Sequence, residues 1–307
     1  MTDQLKSERL REEATELESI IGELDEDDPF TRVSFEQRLE QVRQELDELE
    51  STEQRLASSA LIFEGEPVHG DEGIEANFGT SVVKQYRDLV AATFGELSAE
   101  GGLSNRGRFP GMRDAKLLIT EVIHGNSVGF ELKEQPTETR ELVQTGLHQA
   151  VERASQLLED AAYHEEEFME ALTDHDERVL KKLKSFFQRI DSGGATLRLV
   201  SDAVDTTFDA SAISRGLERV SETQIEVQQV QRDGKLLGIL PRAGKFEFYS
   251  DETLIDGRVA DELTQSQLVA WIEEFIDRSC RATFQVKTVT RHGRSTQKFT
   301  LLEVTEA

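Results

Sequence analysis

The sequence predicts an α+β chain in four parts. These are a helical hairpin or coiled coil over residues 1–57, an α+β segment over 58–136, a helical segment with a short strand over 137–222, and a small β-barrel with one helix over 223–307. Three observations carry this. Leucines recur at heptad spacing near the N-terminus. Short apolar runs punctuated by glycine replace them after Ala57. Residues 223–307 follow the two-residue period of strands, apart from one helical stretch.

Leu10, Leu17 and Leu24 lie seven apart, with Ala14 and Ile21 in the alternate seam position. The acidic run Asp25–Asp28 followed by Pro29 ends that pattern, because proline lacks an amide donor and disfavours helix in the residue before it. A second helix is expected from Ser34, an N-cap with Gln37 three residues on, its seam marked by Phe35, Leu39, Val42, Leu46, Leu49 and Leu56. Each helix has only a narrow apolar stripe and must bury it. The expectation is a hairpin that also carries association, with a protein partner or a second copy, through residues 5–56.

Leu61-Ile62-Phe63 opens a strand, Pro67 and Gly70 form a loop, and Phe78 to Phe94 reads as a helix with Phe78, Val82, Tyr86, Leu89, Val90 and Thr93 on one side. Residues 98–114 hold four glycines, Pro110, Arg106, Arg108 and Arg113, a long loop of the kind that is functional or disordered. Lys116–Val122 and Ser127–Lys133 flank His124-Gly125-Asn126 as a β-hairpin. The helical period returns from Thr137 to Ile190 in three helices. Leu142, Leu147, Val151, Ala154, Leu157 and Leu158 line the first, Phe168 and Leu172 the second, and Val179, Leu183, Phe186, Phe187 and Ile190 the third. A strand near Leu197–Val200 and a helix near Ala210–Val220 lead into the last part.

That part reads as strands at 224–231, 235–240 and 245–249 continuing through 254–260, a helix at 264–277, then strands at 280–290 and 296–304. Three strands, a helix and two strands is an order that resembles an OB-like barrel, the five-stranded fold whose rims bind oligonucleotides or oligosaccharides. The resemblance rests on element order over residues 223–307, and an SH3-like barrel is the other small barrel considered. Trp271, Phe275 and Ile276 on the helix are expected to cover the barrel's open end.

The chain carries 61 acidic and 35 basic residues, net −26, with 24 Arg to 11 Lys and the acids spread throughout. An acidic, lysine-poor surface resembles proteins of salt-in halophilic archaea, where repulsion between carboxylates is screened within a few ångströms. Cys280 is the only cysteine, which excludes an intrachain disulfide and a multi-cysteine metal site. The segment MTDQLKSERLREE lacks the apolar core of a signal peptide, and no run of about 18 uncharged apolar residues occurs. A cytoplasmic chain without membrane association is expected.

Against the acidic background stands one basic island. Arg278 to Leu302 contains four Arg, two Lys and no Asp or Glu. Strand alternation sends Cys280, Ala282, Phe284 and Val286 to one face and Arg281, Thr283, Gln285 and Lys287 to the other. A turn centred on His292-Gly293 sets Lys287 opposite Lys298 and Arg291 opposite Arg294, and like charges facing across a ladder are destabilising. An anion would relieve both pairs, as would an acidic segment of the chain itself, such as Glu226 or Glu247. The expected anion or nucleic-acid site is Arg281, Lys287, Arg291, Arg294 and Lys298, with Arg232 and Lys235 on the barrel's first turn, Arg232-Asp233-Gly234-Lys235. Aromatic support for base stacking is thin, with Tyr249 the only obvious outward aromatic nearby.

Other motifs carry less. Gly125-Asn126-Ser127-Val128-Gly129 fits a nucleophile-elbow pattern but sits between two strands, where the elbow needs a strand and then a helix. Gly238 to Phe246 fails the phosphate-loop pattern, since Phe246 stands where Ser or Thr would hold magnesium. His164 lies between Asp160 at i−4 and Glu167 at i+3, a helical face that could hold a metal, with His148 and Glu152 or His175 and Asp176 as facing partners. A solvated helix face is the simpler reading in so acidic a chain. With no nucleophile–base or metal–water constellation and no cofactor expected, the sequence reads as a non-enzymatic interaction or adaptor protein of a halophilic cytoplasm. The alternatives are a single-stranded nucleic-acid-binding protein using the basic hairpin and a metal-dependent hydrolase on the middle helices.

Overall fold

The computed structural model describes residues 3–23, 29–51, 56–98, 115–135 and 145–307. The chain is mixed α+β, and its C-terminal part is a closed five-stranded barrel. The arginine-bearing loop expected at 98–114 lies outside the described residues from position 99 on, as do Leu24 and Leu142. Among the described residues no helix is long and apolar enough to cross a membrane.

Two helices lead the chain, α1 (Asp3–Glu23) and α2 (Pro29–Ser51). The second starts at Pro29, not Ser34, because proline is tolerated in the first turn, where its missing amide would have no helical partner. Leu10, Leu17, Leu39 and Val42 bury one another, with Ala14, Ile21, Phe35 and Leu46 at the margins. Arg38 pairs with Glu13 and Arg43 with Glu18 across the same contact.

The central body is an antiparallel sheet in the order β2-β3-β1-β4-β5, made of β1 (Ser58–Gly65), β2 (Leu117–His124), β3 (Val128–Glu134), β4 (Ala195–Ser201) and β5 (Asp205–Phe208). The four-residue β5 has no sequence signal strong enough to anticipate it. Packed with the sheet are α3 (Ala76–Leu97), α4 (Gly146–Tyr163), the short α5 (Glu165–Ala171), α6 (Glu177–Asp191) and α7 (Ala210–Glu222). Their helical stripes converge with Leu61 and Phe63 on a core that includes Phe78, Tyr86, Leu89, Phe186 and Phe187. Three of these helices, α4, α6 and α7, start on side-chain caps. Thr145, Asp176 and Asp209 accept from the backbone amides of His148, Arg178 and Ala212, each satisfying an amide the helix cannot.

Thr223 alone separates α7 from the barrel. The barrel consists of β6 (Gln224–Leu240), β7 (Lys245–Ser250), β8 (Thr253–Val259), α8 (Gln265–Phe275), β9 (Ser279–Arg291) and β10 (Arg294–Glu306), closed in the order β10-β8-β7-β6-β9. Only β8 and β10 pair in parallel. Phe246, Phe248 and Phe284 fill the interior, the first and last stacked at 5.4 Å. Trp271, Ile272 and Ile276 pack onto this core from the helical side.

The expected turn at Arg232–Lys235 is absent, since β6 runs unbroken through it. Its first part pairs with β9 and its last with β7, changing partners at Lys235. Gly234 makes this passage possible. A Cβ there would lie 2.2 Å from the Tyr249 carbonyl oxygen and 2.7 Å from the Phe248 ring. The glycine read as a turn former is in fact a point of close backbone approach. The count of three strands before the helix stands with different members, β6, β7 and β8.

Gly234→Ala is expected to lower stability by about 2–3 kcal/mol, because the clash is with backbone that cannot move aside. Gly238→Ala, where nothing lies within 4 Å of the added methyl, should stay within about 0.5 kcal/mol. Urea denaturation of the full chain compares the two.

Candidate binding faces of the barrel

The basic hairpin forms in the expected register. His292 and Gly293 both have positive φ, 48° and 77°, as a type I′ turn requires, and the ladder sets Lys287 against Lys298 and Arg291 against Arg294. What relieves the like charges is the helical body. On the outward face of β9, Lys287, Val289 and Arg291 follow one another at alternate positions, and Val289, with no exposed surface, enters the core of the body. Its cross-strand partner Ile225 packs there too. The two cations therefore flank an apolar plug.

Arg291 is 7% exposed and bridges two helices, its Nη1 donating to Glu165 at the start of α5 and its Nη2 to Glu222 at the end of α7 at 3.2 Å. His292 Nε2 lies 2.9 Å from the same Glu222. Lys298 donates to Asp174 in the α5–α6 connection. Lys287 reaches the His175 carbonyl at 3.2 Å, and behind that loop the His175 ring contacts Glu96 at 2.7 Å. Burial pushes the Lys287 ammonium pKa down while Glu96 and Asp176 pull it up, and burial lowers that of Lys298. Burial alone would raise the Asp176 carboxyl, but Arg178 and then Lys287 hold it below its ordinary range. Desolvation likewise opposes the fall at Glu222, where hydrogen bonds from His292 and Arg291 prevail.

The other site residues lie apart from this junction. Arg281 donates twice to Asp233 on β6, at 2.7 and 3.1 Å, which lowers the Asp233 carboxyl and raises the guanidinium. Arg232 meets Asp251 at 3.3 Å. Arg294 and Lys235 are exposed and make no ion pair among the described residues.

The helix on which the metal alternative rests is interrupted. The helix breaks at His164, whose φ of −125° and ψ of 87° end α4 and precede α5. Asp160 and Glu167 thus belong to different helices, with His164 between them and both His164 and Glu167 still acting on the Asp160 charge. Asp160 is buried, with its carboxyl pushed up by desolvation, and accepts from Gln156 at 3.0 Å. Among the described residues no group of three or more His, Cys, Asp or Glu side chains is placed to hold a metal ion. Ser127 lies in the bend between β2 and β3, without a following helix.

A second face stands open. A cleft of about 970 Å³ lies over the outer surface of β7, β8 and the end of β6, bounded by Thr296–Phe299 of β10 and, beside them, by Glu170, Thr173 and Asp174 of the body. The β7–β8 ladder presents two outward rungs there, Lys245 with Arg258 and Glu247 with Asp256, and next to them Leu254, whose cross-strand partner Tyr249 is exposed beyond the cleft. The sequence reading missed this face because the rungs exist only once the β7–β8 register is known. No protein-family model, curated protein or solved structure matches this chain.

Replacing Arg291 with Met should lower stability, since it removes the buried cation that Glu165 and Glu222, both partly open to solvent, share between α5 and α7. Lys287→Met should be neutral or stabilising within about 1 kcal/mol, since burial already opposes its charge. Urea midpoints of the two variants test the contrast. Glu222 and Asp176 have folded-state pKa values below their unfolded ones, so the stability they lend is complete above the ordinary carboxylate range and is lost as pH falls through the lowered values. The urea midpoint should therefore drop below about pH 4, and the drop should be smaller in Arg291→Met.

Proposed function

We propose that this chain is a non-enzymatic interaction protein of a salt-rich cytoplasm, in which α1 and α2 form a coiled-coil hairpin for association and the barrel is an OB-like binding module. The observation that carries the reading is the open cleft on the outer surface of β7 and β8. The barrel order β6-β7-β8-β10-β9, with its single parallel pair between the third and fifth strands, supports the OB-like assignment, and binding in that fold uses the face of its second and third strands. Here those strands are β7 and β8.

The chemistry of the face favours a protein ligand. Glu247 and Asp256 stand beside Lys245 and Arg258, so a phosphate backbone drawn to one rung would be repelled by the next. Exposed Leu240, Leu254 and Tyr249 add apolar surface. The high acid content and low lysine content support the halophilic setting. Single-stranded nucleic acid is the second reading. In its favour stand Arg294 and Lys235, exposed and without ion-pair partners among the described residues.

A photocrosslinking residue at Leu254, in the full chain incubated with host lysate, is expected to capture protein insensitive to nuclease treatment. Capture of nucleic acid alone, with loss of that signal in Arg294→Glu/Lys235→Glu, would transfer the function to the second reading.

A further inference from the structure

The outer face of β7–β8 carries a charge pattern that a single molecule does not satisfy. Lys245 and Arg258 face each other across the ladder, and Glu247 and Asp256 do the same one rung along. Both rungs juxtapose like charges, which weakens the pairing of the strands that hold them. All four side chains are exposed, and none makes an ion pair among the described residues. The two rungs lie about 7 Å apart along the strands, close enough to act as one patch.

We infer that this face binds a second copy of this chain through a two-fold axis lying in the plane of the face and crossing the strands between the two charged rungs. This deepens the protein-binding reading of the cleft and rests on it. Such an axis exchanges the rungs, setting Lys245 against the partner's Glu247 and Arg258 against the partner's Asp256, and the reverse. A patch with a basic row beside an acidic row is self-complementary under that operation, as an isologous interface must be.

A second feature obeys the same axis. On β6, Leu240 lies in the row of Lys245, and Gly238 in the row of Glu247. Leu240 is 62% exposed, more than any other large hydrophobic residue among those described. Gly238 has nothing within 4 Å of the position a Cβ would take. Exchange of the rows brings each Leu240 over the other copy's Gly238, so an unburied side chain meets an unfilled space. The charges and the apolar contact select the same operator independently.

Sedimentation equilibrium of the full chain in about 1 M KCl, where repulsion between the two acidic chains is screened beyond about 3 Å, tests the inference. The native chain is expected to associate. Lys245→Glu/Arg258→Glu has an all-acidic face and Glu247→Lys/Asp256→Lys an all-basic one, so each alone should self-associate at least about tenfold more weakly, while an equal mixture of the two recovers the association. Gly238→Trp should weaken it similarly, with an unchanged circular dichroism spectrum. A native monomer at micromolar concentrations, or association insensitive to all three variants, would overturn the inference. If the Leu254 crosslinker still captures other proteins in that case, the cleft binds a different partner. If it captures none, the protein-binding reading fails as well.

Discussion

The outer face of β9 is the contact on which the arrangement of this molecule depends. Val289 is sealed in the core of the helical body, with Lys287 and Arg291 on either side of it. An alternating strand presents one face to the barrel interior and the other outward, and here the outward face is itself interior to a second unit. That contact sets the azimuth of the barrel. It sets α5, α7 and the loop between α5 and α6 against the turn end of the β9–β10 hairpin, and it leaves the outer face of β7 and β8 exposed.

The two cations that flank Val289 solve the same problem unequally. Both leave water in the same contact, and desolvation of a charge is costly unless partners replace the solvent. Arg291 has a planar fork that reaches carboxylates on two helices at once. Lys287, a point charge on a flexible stem, finds a backbone carbonyl and only the longer-range influence of Glu96 and Asp176. The basic island of an otherwise acidic chain is thus largely the counterpart of the chain's own acids. Asp174, Glu165 and Glu222 sit at helix ends and in a helix connection, where side chains can reach across a junction without disturbing a helical stripe.

The parts of this fold that were legible in the sequence are those fixed by local geometry. A two-residue turn determines the register of its hairpin, so the Lys287–Lys298 and Arg291–Arg294 pairs followed from His292-Gly293 alone. The apolar stripes of α3 and α6 were likewise visible at helical spacing. What escaped depends on distant chain. Asp174 and Lys298 are separated by 124 positions and Glu165 and Arg291 by 126, and nothing near either residue announces the partner. Gly234 was misread because a glycine between an aspartate and a lysine looks alike in a turn and in a strand crossing close to another backbone. One signal was present and unused. Val289, β-branched and apolar between two cations on the polar register, has no reason to face water.

The position of β1 at the centre of the sheet places a demand on synthesis. Ser59 to Phe63 pair on one side with β3 and on the other with β4. A ribosome must add about 130 residues after β1 before β4 exists, a delay of roughly 7–26 s at usual elongation rates. Through that interval Leu61-Ile62-Phe63 is an apolar strand with at least one edge unmatched, the kind of segment that joins other chains when it meets them. Ser58 and Ser59 precede the apolar triplet and Glu64 and Gly65 follow it, so the interruption nearest to hand is short and polar. The nascent chain has the β3 hairpin to cover one edge while the strand for the other is still being made.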